Sequence, residues 1–240
     1  QEANPGKIID RDWEKLALWN KMGFPSHGAK EVFYNLKNSV HDIPTFVNIG
    51  KNRLTKNEDA ISDYVDCVQI LDSVADAFVI NVSSPNTKGL RDLQNKNSMT
   101  TLFQTLTSHT SKPLLVKLSP DMTDEQLQDV VQGCVDGGCS GFVLTNTTLS
   151  RTSDLHFPNE GGVSGKPVAK LSKHALKKVT SLLGNKRKDF LLVSVGGVLS
   201  VDDIFSRLNL GADLVQTYAG LVFNGPRFFH QVAQSAKELQ

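Results

Sequence analysis

Residues 77–91 read AFVINVSSPNTKGLR. The first six, Ala77–Val82, are apolar and β-rich except for Asn81, and they carry no helical period, so they form a strand. Ser83–Gly89 follow, a run of turn residues rich in hydroxyls and amides. A strand thus opens at its C-terminal end into a polar loop. The same pattern recurs outward along the chain in Pro44–Ile49 (PTFVNI), Leu114–Leu118 (LLVKL), Gly141–Thr145 (GFVLT), Phe190–Val195 (FLLVSV) and Leu214–Tyr218 (LVQTY). Helix-like stretches lie between these runs: Asn57–Leu71, Ser98–His109, Thr123–Cys134, Lys170–Leu183 and Val201–Leu208. Thr123 with Gln126 reads as a capping box, Ser200 ahead of Asp202 and Asp203 as a helix start, and Gly211 as a C-terminal stop. Strand–helix alternation means βα units on a parallel sheet, and near-continuous apolar strands mean that both sheet faces are covered.

An open doubly wound sheet and a closed barrel both satisfy that pattern. Polar or glycine residues stand at or just past nearly every strand end: Asn48, Asn81, Ser83, Lys117, Asn146, Gly196–Gly197 and Tyr218. In a barrel such ends converge on one rim, where sites are built, whereas an open sheet spreads them along an edge. The expected fold is therefore α/β, a (β/α)8 TIM barrel of which this chain supplies about six βα units. No linker or composition shift divides residues 1–240, which read as one domain.

Composition narrows the functional classes. The 240 residues are 39% hydrophobic and 21% charged, and 26 Lys+Arg against 25 Asp+Glu leave a formal charge of +1, so no basic field points to nucleic acid. Three cysteines (Cys67, Cys134, Cys139) fit neither a disulfide framework nor a zinc spacing, and the six histidines (His27, His41, His109, His156, His174, His230) form no metal motif. No metal is expected. No apolar run reaches the ~18–20 residues of a membrane span. The chain opens at Gln1 with no Met, signal peptide or targeting segment, which reads as an internal cut or a processed end.

Four segments carry the chemistry. Asn81–Arg91 and Thr145-Asn146-Thr147-Thr148 suit a flat, multiply hydrogen-bonding ligand, or equally a turn-rich loop and a satisfied strand-end network. Gly161–Pro167 and Val195–Val198 each precede a helix, where backbone N–H groups reach phosphate. Lys117 interrupts an apolar strand. A buried ammonium needs an anionic or electron-rich partner, unless Lys117 turns to a sheet edge or pairs with Asp121.

Together NVSSPNTKGLRDLQ (81–94), VNIGKN (47–52), LVKLSPD (115–121), TNTT (145–148), GGVSGKP (161–167), VGGV (195–198) and GADLVQTYAG (211–220) resemble, in order and spacing, the class 2 dihydroorotate dehydrogenases. The resemblance covers essentially the whole chain. It implies an FMN-binding barrel that oxidises dihydroorotate to orotate in pyrimidine (UMP) synthesis and passes electrons to a membrane quinone. By the same resemblance Ser84 is the base at C5, with hydride leaving C6 for FMN; relatives with soluble acceptors carry Cys there. Asn81, Asn86, Asn146 and Thr147 would hold the substrate. Asn48, Asn81, Lys117 and Thr145 would face the flavin ring, Ser164 and Gly165 the ring and ribityl chain, and Gly196, Gly197, Tyr218 and Ala219 the phosphate. Membrane association follows only by analogy with bacterial or mitochondrial inner-membrane relatives.

The family pattern is departed from in three places. Its first two strands and its N-terminal membrane-associating helices are not in this sequence, and are expected on another chain or among residues omitted from this one. Its asparagine in the GFN motif is Pro25 here, and the hydroxyl residue after Tyr218 is Ala219. Two other readings are another FMN barrel acting on a dihydropyrimidine-type ring, or an inactive barrel fragment that only binds a partner.

Overall fold

A computed structural model describes residues 1–39 and 42–238. His41 lies outside the described residues. A hairpin of β1 (Ile9–Asp12) and β2 (Ala17–Asn20) opens the chain, followed by α1 (Ala29–Lys37). The βα units then run β3 (Phe46–Ile49), α2 (Ala60–Leu71), β4 (Ala77–Asn81), α3 (Lys96–Thr107), β5 (Leu114–Leu118), α4 (Asp124–Asp136) and β6 (Gly141–Leu144). After β7 (Gly162–Gly165) come α5 (Ala169–Leu183), β8 (Leu191–Val195), α6 (Val201–Asn209), β9 (Leu214–Gln216), α7 (Ala219–Asn224) and α8 (Arg227–Glu238).

All six strands read from sequence form one parallel sheet in the order β3-β4-β5-β6-β8-β9. The sheet is the curled portion of a (β/α)8 barrel. Among the described residues β3 and β9 each have one neighbour, so the curl is open between them. Leu214 on β9 is accordingly 46% exposed.

Strand periodicity explains both layers of the core. Side chains alternate between faces. Val47, Ile49, Phe78, Ile80, Leu114, Val116, Leu118, Phe142, Leu144 and Leu192 face outward and pack under the helices. Ala77, Val79, Leu115, Val143 and Val193 face inward and form a separate apolar layer, flanked by Phe46, Leu191 and Val195. Fully burying each large apolar side chain contributes about 1.5–3 kcal/mol, and this double burial produces the continuous apolar runs seen in the sequence. One step further along the inward face the apolar layer gives way to Asn48, Asn81, Lys117 and Thr145.

The helix signals hold. Thr123 with Gln126 and Ser200 with Asp203 form reciprocal capping boxes, and Gly211 follows α6 at φ +99°. Asn95 caps α3 by accepting from the Ser98 N–H, so that helix starts two residues before Ser98.

Helices α1, α7 and α8 are absent from the sequence reading, and two further features differ. The hairpin β1–β2 was not visible, and Gly162–Gly165, read as a loop, is a strand pairing antiparallel with β2. The small sheet β1-β2-β7 stands beside the C-terminal ends of the parallel strands and walls the space above them.

Candidate active site

The inward polar step is hydrogen-bonded into one network. Asn81 donates through Nδ2 to Asn48 Oδ1 at 3.2 Å, and its Oδ1 accepts from Asn146 Nδ2, the Ser83 N–H and the Ser83 hydroxyl, each at 3.3 Å. Asn146 Nδ2 also reaches Ser83 Oγ at 3.0 Å, and its Oδ1 accepts the Thr147 N–H at 2.7 Å. From the outer face the buried Tyr64 hydroxyl donates to Asn81 O at 3.1 Å. The side chains at the ends of β3, β4 and β6 are thus fixed relative to one another.

Two cavities adjoin over this network. The larger, about 700 Å³, is lined by Thr145, Ser164, Gly165, Gly196, Gly197, Tyr218 and Ala219 together with β1 and β2 residues. The smaller, about 420 Å³, is lined by Asn48, Asn81, Ser84, Asn86, Phe24 and Pro25. Lys117, Asn146, Thr147 and Asn20 border both. Every site residue singled out in the sequence therefore lies on one of two connected cavities. Asn48 and Asn81 line only the smaller, whereas the resemblance placed them against the flavin ring.

Ser84 is buried, at 5% exposure. Its Oγ accepts the Asn86 N–H at 3.2 Å, and no acidic or basic side chain among the described residues touches it. Asn86 donates to Asn20 Oδ1 at 3.0 Å, while its own buried Oδ1 has no partner. A buried acceptor without a partner carries a desolvation cost that a ligand donor would relieve.

Lys117 is an inward residue of the central strand β5, registered between Asn81 and Val143. It does not pair with Asp121, because that carboxylate is taken by Arg91 at 2.7 Å. Nor does it lie at a sheet edge. Its ammonium has no hydrogen-bond or ion-pair partner among the described residues, and burial pushes it below the ordinary lysine value of 10.5. Between that lowered value and 10.5 the unfolded chain holds a proton that the folded one does not, so the ligand-free protein gains stability as pH rises through that window. Lys117→Met is therefore expected to raise the Tm of the ligand-free protein at neutral pH, with the gap closing as pH approaches 10.5. Thermal melts across pH check this; a gap independent of pH would contradict it.

Three further residues emerge only in three dimensions. Arg91 donates from Nε to Ser83 O at 2.9 Å, from Nη2 to Thr147 O at 3.0 Å and from Nη1 to Asp121 at 2.7 Å. Asp121 in turn accepts the Thr148 hydroxyl and the Leu149 N–H. This pair ties together the loops after β4, β5 and β6. Thr217 ties the last two loops, donating to Val198 O at 2.7 Å and accepting the Gly220 N–H at 3.0 Å. Asn20 ends β2, and no local pattern marks it.

Gly196 and Gly197 turn at φ +112° and +70°. A Cβ on Gly197 would lie 2.6 Å from Ala169 Cα at the start of α5, so both conformation and packing require glycine there.

A family profile described as dihydroorotate dehydrogenase matches residues 3–239. The chain belongs to the dihydroorotate dehydrogenase family. It is 40% identical over 230 residues to the dihydroorotate dehydrogenase (quinone) of Mycolicibacterium gilvum, covering 94% of this chain and 64% of that protein. The Mycobacterium tuberculosis protein of the same name is 38% identical over 232 residues, covering 95% and 64%. Ligand-free DHODH from Eimeria tenella superposes with a TM-score of 0.89 at 29% identity, over 98% of this chain and 72% of that one. The same protein in complex with ferulenol gives 0.85 at 28%, over 98% and 70%. The chain thus spans 64% of the length of these curated relatives. Among the described residues no group of three or more His, Cys, Asp or Glu could hold a metal ion, and no helix is long and apolar enough to cross a membrane.

Proposed function

We propose that this chain carries the reacting centre of a quinone-linked dihydroorotate dehydrogenase, which converts dihydroorotate to orotate in pyrimidine synthesis. The observation that carries this reading is the pair of adjoining cavities. One contains Ser84 and the amides; the other ends on the Gly196–Gly197 turn; and an unpartnered lysine stands where they meet. FMN fits the larger cavity by volume, since ligand sites span roughly 300–1,000 Å³. Lys117 supplies a cation without a competing carboxylate, and the glycine turn supplies backbone facing the space. The chemistry a bound FMN supplies there is two-electron acceptance, hydride from C6 of the substrate in and electrons out to a quinone.

The remaining work falls to side chains of this chain. Ser84 Oγ takes the C5 proton, which lies next to a ring carbonyl. The C5–H electrons become the C5=C6 double bond as hydride leaves C6. The Asn86 N–H already bonded to Ser84 Oγ stabilises the hydroxyl's anionic character, and its own proton passes to water because no protein base touches it. Asn81, Asn86, Asn146 and Thr147 hold the substrate's carboxylate and ring polar groups with dipoles fixed in advance. Lys117 favours negative charge on either side of the boundary between the cavities. Pro25 contributes shape to the smaller cavity and no side-chain hydrogen bond.

The open edges of β3 and β9 belong to the same proposal. Unpaired parallel edges with an exposed inward leucine are unstable alone, so two further βα units, on this polypeptide or another, pair there and close the barrel. Membrane association and quinone access are assigned to that segment. Purified native protein supplied with dihydroorotate and a soluble quinone should form orotate and quinol in equal amounts. Quinone-independent turnover, or none, would overturn the assignment.

A further inference from the structure

Arg207 of α6 is 0% exposed, the largest fully buried side chain among the described residues. Its guanidinium donates through Nη1 to Ser194 Oγ at 2.8 Å, and through Nη2 to Ser172 Oγ at 3.0 Å and to Gly196 O, while Nε has no partner. No carboxylate among the described residues forms an ion pair with it. Asp203, one turn earlier, is engaged by Ser200, the Leu199 N–H and Lys173. Burial holds the group down to about 10, which leaves it charged at neutral pH. Asp203 offsets that burial only at a distance, and a buried cation without a direct ion pair costs several kcal/mol.

The carbonyl it holds is the one that matters. Gly196 O also accepts the Ser172 hydroxyl at 2.7 Å. In a trans peptide the carbonyl and the following N–H point in opposite directions. With Gly196 O anchored into the core, the Gly197 N–H points outward, to the cavity that both glycines line. That N–H has no partner among the described residues. Hydrogen bonding at the carbonyl also polarises the amide and makes its N–H a stronger donor.

We propose that Arg207 is a positioning residue for a phosphate monoester in the larger cavity. It fixes the Gly196–Gly197 peptide with its N–H toward the ligand, and it places behind that peptide the positive charge which the phosphate neutralises. This deepens the reading of that cavity given above and rests on it.

The test compares a phosphorylated flavin with its phosphate-free counterpart. Flavin-stripped native protein is titrated with FMN and with riboflavin, following quenching of flavin fluorescence, for wild type, Arg207→Gln and Arg207→Lys. Wild type is expected to prefer FMN. R207Q should cut that preference by about tenfold, with riboflavin affinity unchanged. R207K, which keeps the charge but not the planar fork, should lose about threefold. Equal weakening of both flavins would mean a merely structural role and overturn the proposal. An unchanged preference would overturn the assignment to Arg207 alone. If wild type itself shows no preference, the phosphate reading of the cavity falls, and Arg207 with it. Should R207Q fail to fold, R207K decides by the same ratio.

Discussion

Ser84→Ala should slow dihydroorotate oxidation by about 10²–10⁴-fold, the usual worth of a positioned proton acceptor. The loss should fall on kcat, because the proposal assigns the substrate contacts to the asparagines and Thr147 rather than to this hydroxyl. Folding should hardly change. Alanine fills most of the same buried volume, and only the Asn86 N–H loses a partner, at a cost of about 1 kcal/mol. Ser84→Cys should retain more activity than alanine, since a thiol ionises more readily than a hydroxyl. Steady-state rates with substrate in excess check both variants. A loss in S84A smaller than about threefold, far below the general-base range, would remove Ser84 from the chemistry.

Arg91→Ala should be the most damaging change away from the reacting atoms. The Arg91–Asp121 pair is 19% exposed on each side, between a surface pair and a buried one. Removing the guanidinium leaves Asp121 short of a partner, together with the carbonyls of Ser83 and Thr147. The expected cost is about 2–3 kcal/mol, between the surface and buried limits. For a chain of this size that is a fall of roughly 5–10 °C in Tm. Activity should fall further than stability, because Ser83 O belongs to the peptide that positions Ser84, and a shift of about 1 Å at a reacting group can cost roughly 10²-fold. Arg91→Lys keeps the charge but cannot hold two carbonyls and a carboxylate at once, so it should lie between. Melting curves and kcat measured on the same preparations test the pair. If R91A melts within about 1 °C of wild type, on a scale of a few degrees per kcal/mol, the clamp has been misjudged.

What the sequence disclosed follows from what is local. Leu114–Leu118 announces a strand because both of its faces are buried, and Lys117 stands out within it for the same reason: four apolar neighbours leave a cation nowhere ordinary to go. The loop from Ser83 to Gly89 is legible as polar, and its place on the rim follows from its position after a strand. The hairpin is different. IDRD and ALWN are four residues each, one of them mostly charged, and they acquire strand character only by pairing with each other and with Gly162–Gly165. That last strand contains two glycines and reads as a turn, because its order comes from β2, more than 140 positions earlier. Helix α1 is short and buries none of its residues fully; Ala29, Val32, Phe33 and Leu36 only rest against the core.

The site divides in the same way. Ser84, Lys117 and the asparagines stand out in the sequence because each sits at a strand end in a motif. Asn20, Thr217, Arg91 and Arg207 are not, because each acts on a carbonyl, hydroxyl or amide brought from elsewhere in the chain. Arg91 lies within the 81–94 motif, yet nothing local says that it reaches Thr147 O across 56 positions. Arg207 is harder still. A basic residue in the last turn of an amphipathic helix reads as a solvent-facing charge complementing the helix dipole, and here it is completely buried.

The two adjoining cavities are proposed to hold a flavin and dihydroorotate in contact with Ser84 and Lys117. The visible spectrum of the purified native protein, taken before and after anaerobic addition of dihydroorotate, tests this most directly. A yellow protein that bleaches on addition and recovers its colour when quinone is admitted is the expected result. A yellow protein that stays oxidised with dihydroorotate present would contradict the substrate assignment, and a native protein without flavin absorbance would contradict the claim as a whole.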